Sequence, residues 1–268
     1  MLTLHTPIHK SYDYIGLNSY FEIWEQNGWI KRILLPAELL PADRSFTSRI
    51  GELYICPEEI THITNYNYIW ALQWRNNKEW IKKPNVFKGN WWVRDWQAYS
   101  SVQEQVPLDK KAESIFSGTI RGKNHVRNKW INSTEIWSSS PAKRYTKTNK
   151  LFRSIKDYYM ALATTQFGLC LAGDCPVCQR EIEVLGVGCV PIYTTGVEWD
   201  YYNKPIEGKH FLYCKSPEEL NDVIEGVSED RYMWMQEEGI KYFNENNSVE
   251  GMWNNLNKII EQNNIKVD

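Results

Sequence analysis

Thr165-Gln166-Phe167-Gly168-Leu169-Cys170-Leu171-Ala172-Gly173, then Gln179-Arg180-Glu181-Ile182-Glu183, then Gly188-Cys189-Val190-Pro191-Ile192: these three pieces decide the fold. An apolar run of strand length enters a glycine-containing loop, a helix-forming segment follows, and a second apolar run begins after a short turn. That succession reads as a parallel βαβ unit. In open α/β sheets ligands collect at the carboxyl ends of strands, where the loop after residue 171 lies. The first turn of the helix offers N–H groups and the positive end of the helix dipole. Arg180 stands in that turn, where a guanidinium can grip an anion bidentately. Glu183, three residues on, shares its helical face. Spacing alone favours a plainer reading of the two, a surface ion pair worth roughly 0.3–0.5 kcal/mol.

Outward from this unit the same rhythm continues. Residues 114–118 read as a strand, 123–137 and 150–162 as helices, and 211–214 as a strand. Residues 217–227, 229–244 and 249–263 read as helices. Upstream, 2–6 reads as a strand closed by Pro7. A helix over 14–26 is ended by Asn27-Gly28, and a buried strand over 30–35 is stopped by Pro36. Residues 52–56, 68–74 and 91–96 are further strand candidates, and the polar stretch 100–112 reads as a linker. The expectation is an α/β protein of two domains, 1–105 and 106–268, the second carrying the C-terminal helices.

Composition is that of an ordinary globular chain: 268 residues, 42% hydrophobic, 24% charged, net charge −2. No long basic run marks a nucleic-acid surface or a polybasic membrane patch. No stretch reaches the ~18 apolar residues of a membrane span. The first residues lack the charged and apolar regions of a signal peptide. The six cysteines then fit a reduced, cytoplasmic setting and a soluble protein. The chain also has 13 Trp and 16 Tyr, many in polar surroundings. Amphipathic rings cover sugar faces well, which is mild support for a carbohydrate ligand; for any single Trp, core filling is the preferred reading.

Arg180-x-x-Glu183-x-x-x-x-Gly188-Cys189-Val190-Pro191, preceded by Phe167-Gly168-Leu169-Cys170, resembles the donor-binding segment of exostosin-like glycosyltransferases. Ile115-Phe116-Ser117-Gly118-x-x-Arg121, with Arg127 beyond, is similar to the first donor-domain strand of that family. The likeness covers roughly residues 113–265. It implies two facing Rossmann-like domains of the GT-B type, with 1–105 binding the acceptor and 106–268 the nucleotide-sugar. It implies inverting transfer of a hexosyl or pentosyl group from a UDP- or GDP-sugar, UDP preferred, to a hydroxyl of a glycan or glycoprotein. Arg180 would contact the diphosphate and Glu183 the ribose, with Gly118, Arg121, Arg127 and Gly173 also at the donor. The compact size resembles exostosin-like enzymes of large DNA viruses, which would place the protein in host cytoplasm. The N-terminal half matches no motif of the family, and the loop Asp174-Cys175-Pro176-Val177-Cys178 departs from its small-residue loop.

No Asp-x-Asp occurs. Enzymes that hold a divalent metal beside a diphosphate do so on such carboxylates, so no metal or other cofactor is expected. Arginines and a helix dipole would neutralise the leaving group instead. Cys175-x-x-Cys178 has the spacing of half a zinc knuckle, but without a second pair two ordinary thiols is the preferred reading. An inverting displacement needs a base within reach of the acceptor hydroxyl. His9, Asp13 and Asp95 are the candidates, Asp13 favoured; each taken alone is more often a loop or capping residue. Two other readings stay open: a non-catalytic carbohydrate-binding protein, and another nucleotide-dependent Rossmann-type enzyme. Against the latter, neither Gly-x-Gly-x-x-Gly nor a P-loop is present.

Overall fold

A computed structural model describes residues 1–7, 15–35, 52–56, 68–71, 86–110, 112–117, 127, 129–130, 133, 143–146, 152–172, 179–194 and 202–265. The chain divides into two compact units. One comprises Met1–Arg94, Asp200–Asn203 and Glu245–Asp268; the other comprises Asp95–Trp199 and Lys204–Asn244. The division falls earlier than the expected boundary at 105/106. The last helix belongs with the first unit, not with 106–268.

In the first unit the strands are β1 (Leu2–Pro7), β2 (Ile30–Leu35), β3 (Glu52–Cys56), β4 (Tyr68–Ala71) and β5 (Val86–Lys88). They form one sheet in the order β2-β1-β3-β4-β5, with every pairing parallel. Helix α1 (Ile15–Gln26) links β1 to β2. It ends in a Schellman motif: Gly28 N–H bonds to Glu25 O and Trp29 N–H to Trp24 O, with Gly28 at φ +69°. Among the described residues of this unit, Trp24 and Trp70 are core. Trp24 stacks with Trp70 at 6.0 Å and donates through Nε1 to Val249 O at 3.0 Å. Trp253 packs between Trp24 and Trp29, each at 5.3 Å.

Residues 91–96 are not a strand. Trp91, Trp92 and Val93 are buried without ladder pairing, and Asn247 Nδ2 satisfies the Trp91 carbonyl at 2.9 Å. Gly16 passes so close beneath this stretch that a Cβ there would collide with the Val93 carbonyl. The expected linker is helical at its start, because Asp95 caps α2 (Trp96–Gln103).

The second unit repeats the topology. Its strands are β6 (Ala112–Ser117), β7 (Lys143–Thr146), β8 (Thr165–Cys170), β9 (Val190–Thr194) and β10 (Leu212–Cys214). They lie in the order β10-β9-β8-β6-β7, again all parallel. Numbered within its own sheet, each unit has the order 2-1-3-4-5, a doubly wound arrangement with its switch point between the first and third strands.

Helices α3 (Ile155–Ala163) and α4 (Gln179–Gly186) bracket β8, and α5 (Leu220–Glu225) and α6 (Glu229–Asn246) follow β10. Phe116, Phe167, Leu169, Val190, Ile192, Tyr232 and Met235 form a buried cluster. Gly168 lets α4 lie close on β8: a Cβ there would stand 2.7 Å from Val184 Cγ1. At the opposite end of the sheet Lys110 Nζ donates to Ala163 O at 2.8 Å and Gly188 O at 2.7 Å. Burial lowers its pKa to about 8, against a smaller opposing effect from Cys189.

After α6 the chain enters α7 (Val249–Gln262) of the first unit, capped by Ser248. Among the described residues, no helix is long and apolar enough to cross a membrane.

Candidate functional site

The switch point of the second sheet lies between β6 and β8, whose carboxyl ends are Ser117 and Cys170. Ile115 is paired with Gly168, so two residues further on these ends stand side by side. Each end is held by an arginine. Arg180 Nη2 donates to Ser117 O at 2.5 Å, and its guanidinium lies over the Phe116 ring, 4.9 Å from the centroid. Arg127, in a helical turn, donates through Nε at 3.4 Å and Nη2 at 3.2 Å to Leu171 O, the residue after β8. Two permanent cations thus sit at adjacent strand ends, where ligands of doubly wound sheets bind.

The amino end of α4 adds to this. Gln179, its first residue, is 8% exposed, and its Nε2 has no hydrogen-bond partner among the described residues. A buried amide that lacks a partner costs about 1–3 kcal/mol, so an acceptor arriving there would be held well. Arg180 is also 8% exposed and Glu183 is 0% exposed, which rules out a surface ion pair between them.

Glu183 is engaged within its own unit. Its Oε1 accepts from Tyr159 Oη at 2.9 Å, and its main-chain carbonyl accepts from Tyr99 Oη at 2.8 Å. Asp95, the third candidate base, caps α2: its Oδ1 accepts from Ala98 N at 3.0 Å. The Asp95 N–H donates to Tyr159 Oη at 3.2 Å.

His9, Asp13, Gly118, Arg121 and Gly173 lie outside the described residues, as do Cys175 and Cys178. Among the described residues no cluster of His, Cys, Asp and Glu is arranged to hold a metal ion. The structure therefore brings Arg127 and Arg180 to the carboxyl ends of adjacent strands and buries Glu183, one helical turn beyond Arg180, against Tyr159 and Tyr99. Gln179, Tyr99 and Tyr159 were missed by the sequence reading. Gln179 had a visible signal as the residue before Arg180; the tyrosines had none, since they come from helices distant in sequence. No protein-family model and no curated protein matches the chain.

Proposed function

We propose that the protein is an inverting glycosyltransferase of the GT-B type, taking a nucleotide-sugar in the second unit and a glycan hydroxyl in the first. The observation that carries this reading is the pair of arginines at the switch point, Arg180 on Ser117 O and Arg127 on Leu171 O. With the amino end of α4 they form a cationic edge suited to a diphosphate. The resemblance around Arg180 supplies the reaction. The acceptor oxygen bonds to the anomeric carbon as the bond to the diphosphate breaks. A base takes the hydroxyl proton, and the charge that develops on the leaving diphosphate falls beside the arginines. No divalent metal is needed, because fixed cations already face that charge. The ribose is assigned to no described residue, since the Glu183 carboxylate is fully buried against Tyr159.

Calorimetric titration with UDP, GDP and their sugars, with and without EDTA, tests the proposal. UDP or GDP is expected to bind, and a ligand at 100 times its Kd adds about 2.7 kcal/mol of stability. Slow hydrolysis of the matching nucleotide-sugar is expected to survive EDTA. Binding of glycans without any nucleotide would instead make the protein a lectin, and activity recovered only by Mn²⁺ would overturn the metal-free step.

A further inference from the structure

Glu183 sits one helical turn beyond Arg180, and two tyrosines from two other helices hold it. Tyr159, on α3, is wholly buried. A backbone N–H can only donate, so the Asp95 N–H takes a lone pair of Tyr159 Oη and the phenol's own proton goes to Glu183 Oε1. Tyr99, on α2, gives its proton to the Glu183 carbonyl and meets the Tyr159 ring edge-on, with centroids 4.9 Å apart and planes at 88°. Side chain and main chain of one residue are therefore fixed independently.

Packing alone does not call for this arrangement. Phenylalanines would fill the same space, and a buried carboxylate is costly unless it is hydrogen-bonded. The fit around α4 is also tight. A Cβ on Gly186 would come within 2.5 Å of Tyr99 Oη and of the Phe243 ring, so the helix has little freedom to move toward α2.

We infer that Tyr159 and Tyr99 are positioning residues which, through Glu183, set the depth and rotation of α4 and hence the place where Arg180 meets the end of β6. The inference rests on the anion site proposed above. It departs from the ribose role that the family resemblance gives Glu183, and the two make different predictions. A lock on α4 acts on whatever Arg180 binds, which is phosphate. A ribose contact acts on nucleoside.

The experiment uses the full chain with Tyr159→Phe and Tyr99→Phe, which delete one hydroxyl each and keep both rings. Inorganic pyrophosphate, uridine and UDP are titrated against each protein, and Tm is recorded. Both variants are expected to weaken pyrophosphate and UDP, by about three- to tenfold in Tyr99→Phe and by more in Tyr159→Phe, whose hydroxyl bonds both Glu183 Oε1 and the Asp95 N–H. Uridine binding is expected to change less than about twofold. Wild-type pyrophosphate affinity in both variants, with only Tm lowered, would reduce the tyrosines to core supports and overturn the inference. A loss confined to uridine and UDP would restore the ribose role. If the unaltered protein binds neither pyrophosphate nor UDP, the anion site itself is refuted, and the lock with it.

Discussion

Arg180 Nη2 and Ser117 O, 63 positions apart in sequence, meet at 2.5 Å, so the helix after β8 is tied to the end of β6. A guanidinium here has two roles that separate by mutation. Arg180→Ala is expected to weaken UDP and pyrophosphate by roughly 10- to 100-fold, the range for one charge-assisted hydrogen bond. Arg180→Lys keeps the charge but not the planar fork, and should recover only part of the loss. Unchanged affinity in both variants, measured by calorimetry, would leave Arg180 as a purely structural tie.

Asp95 separates cap from chemistry. Asp95→Ala removes the side-chain bond to Ala98 N and should cost roughly 0.5–2 kcal/mol of stability. Asn caps a helix as well as Asp does, so Asp95→Asn should keep Tm, and any fall in turnover there isolates the carboxylate charge. The larger kinetic effect is expected from Asp13→Asn, about 10²–10⁴-fold in turnover with donor affinity unchanged. Steady-state rates beside donor titrations distinguish the three variants. An active Asp13→Asn enzyme would send the search for the base to His9.

His210 gives the fold an acid limit. Its Nδ1 accepts from the Ile206 N–H at 2.8 Å, which requires the neutral ring. Burial, and then the charge of Lys209, lower its pKa from 6.5 to about 4, while Glu238 opposes them. The unfolded chain takes up this proton near pH 6.5, so between pH 6.5 and 4 it binds more protons than the folded one. The stability contributed by this site is therefore complete above pH 6.5, declines as pH falls, and is lost below about pH 4. In His210→Asn the Oδ1 can replace Nδ1 as acceptor. Its Tm should start lower, for want of the Tyr242 ring contact, but vary less across that interval. An equal slope in both proteins would show that other groups set the acid limit.

Much of the second unit was legible because its signals are local. Gly188 at φ +68°, with its N–H bonded to Leu185 O and Cys189 N–H bonded to Val184 O, closes α4 and makes the short turn expected before β9. Gln179–Gly186 and Val190–Thr194 are the helix and strand expected after β8. Strand β7 was not legible: Lys143-Arg144-Tyr145-Thr146 has no apolar run, and only its parallel pairing with β6 makes it a strand. Residues 91–96 misled for the opposite reason. Their apolar rings look like a strand, but Asn247 satisfies Trp91 from a segment that sequence cannot place beside it.

The sequence by itself determined that the chain is α/β, that β8, α4 and β9 follow one another as a βαβ unit, and that Arg180 opens the helix between them. Hydrophobic period, glycine position and strand spacing act over a few residues, and a chain carries them wherever it is folded. Only the tertiary structure decided that both sheets run in the order 2-1-3-4-5 and that Arg127 joins Arg180 at one switch point. It alone set Glu183 inside, between Tyr99 and Tyr159. Those relations depend on which helix lies over which strand, which is settled by burying many side chains at once and leaves no mark at any single position.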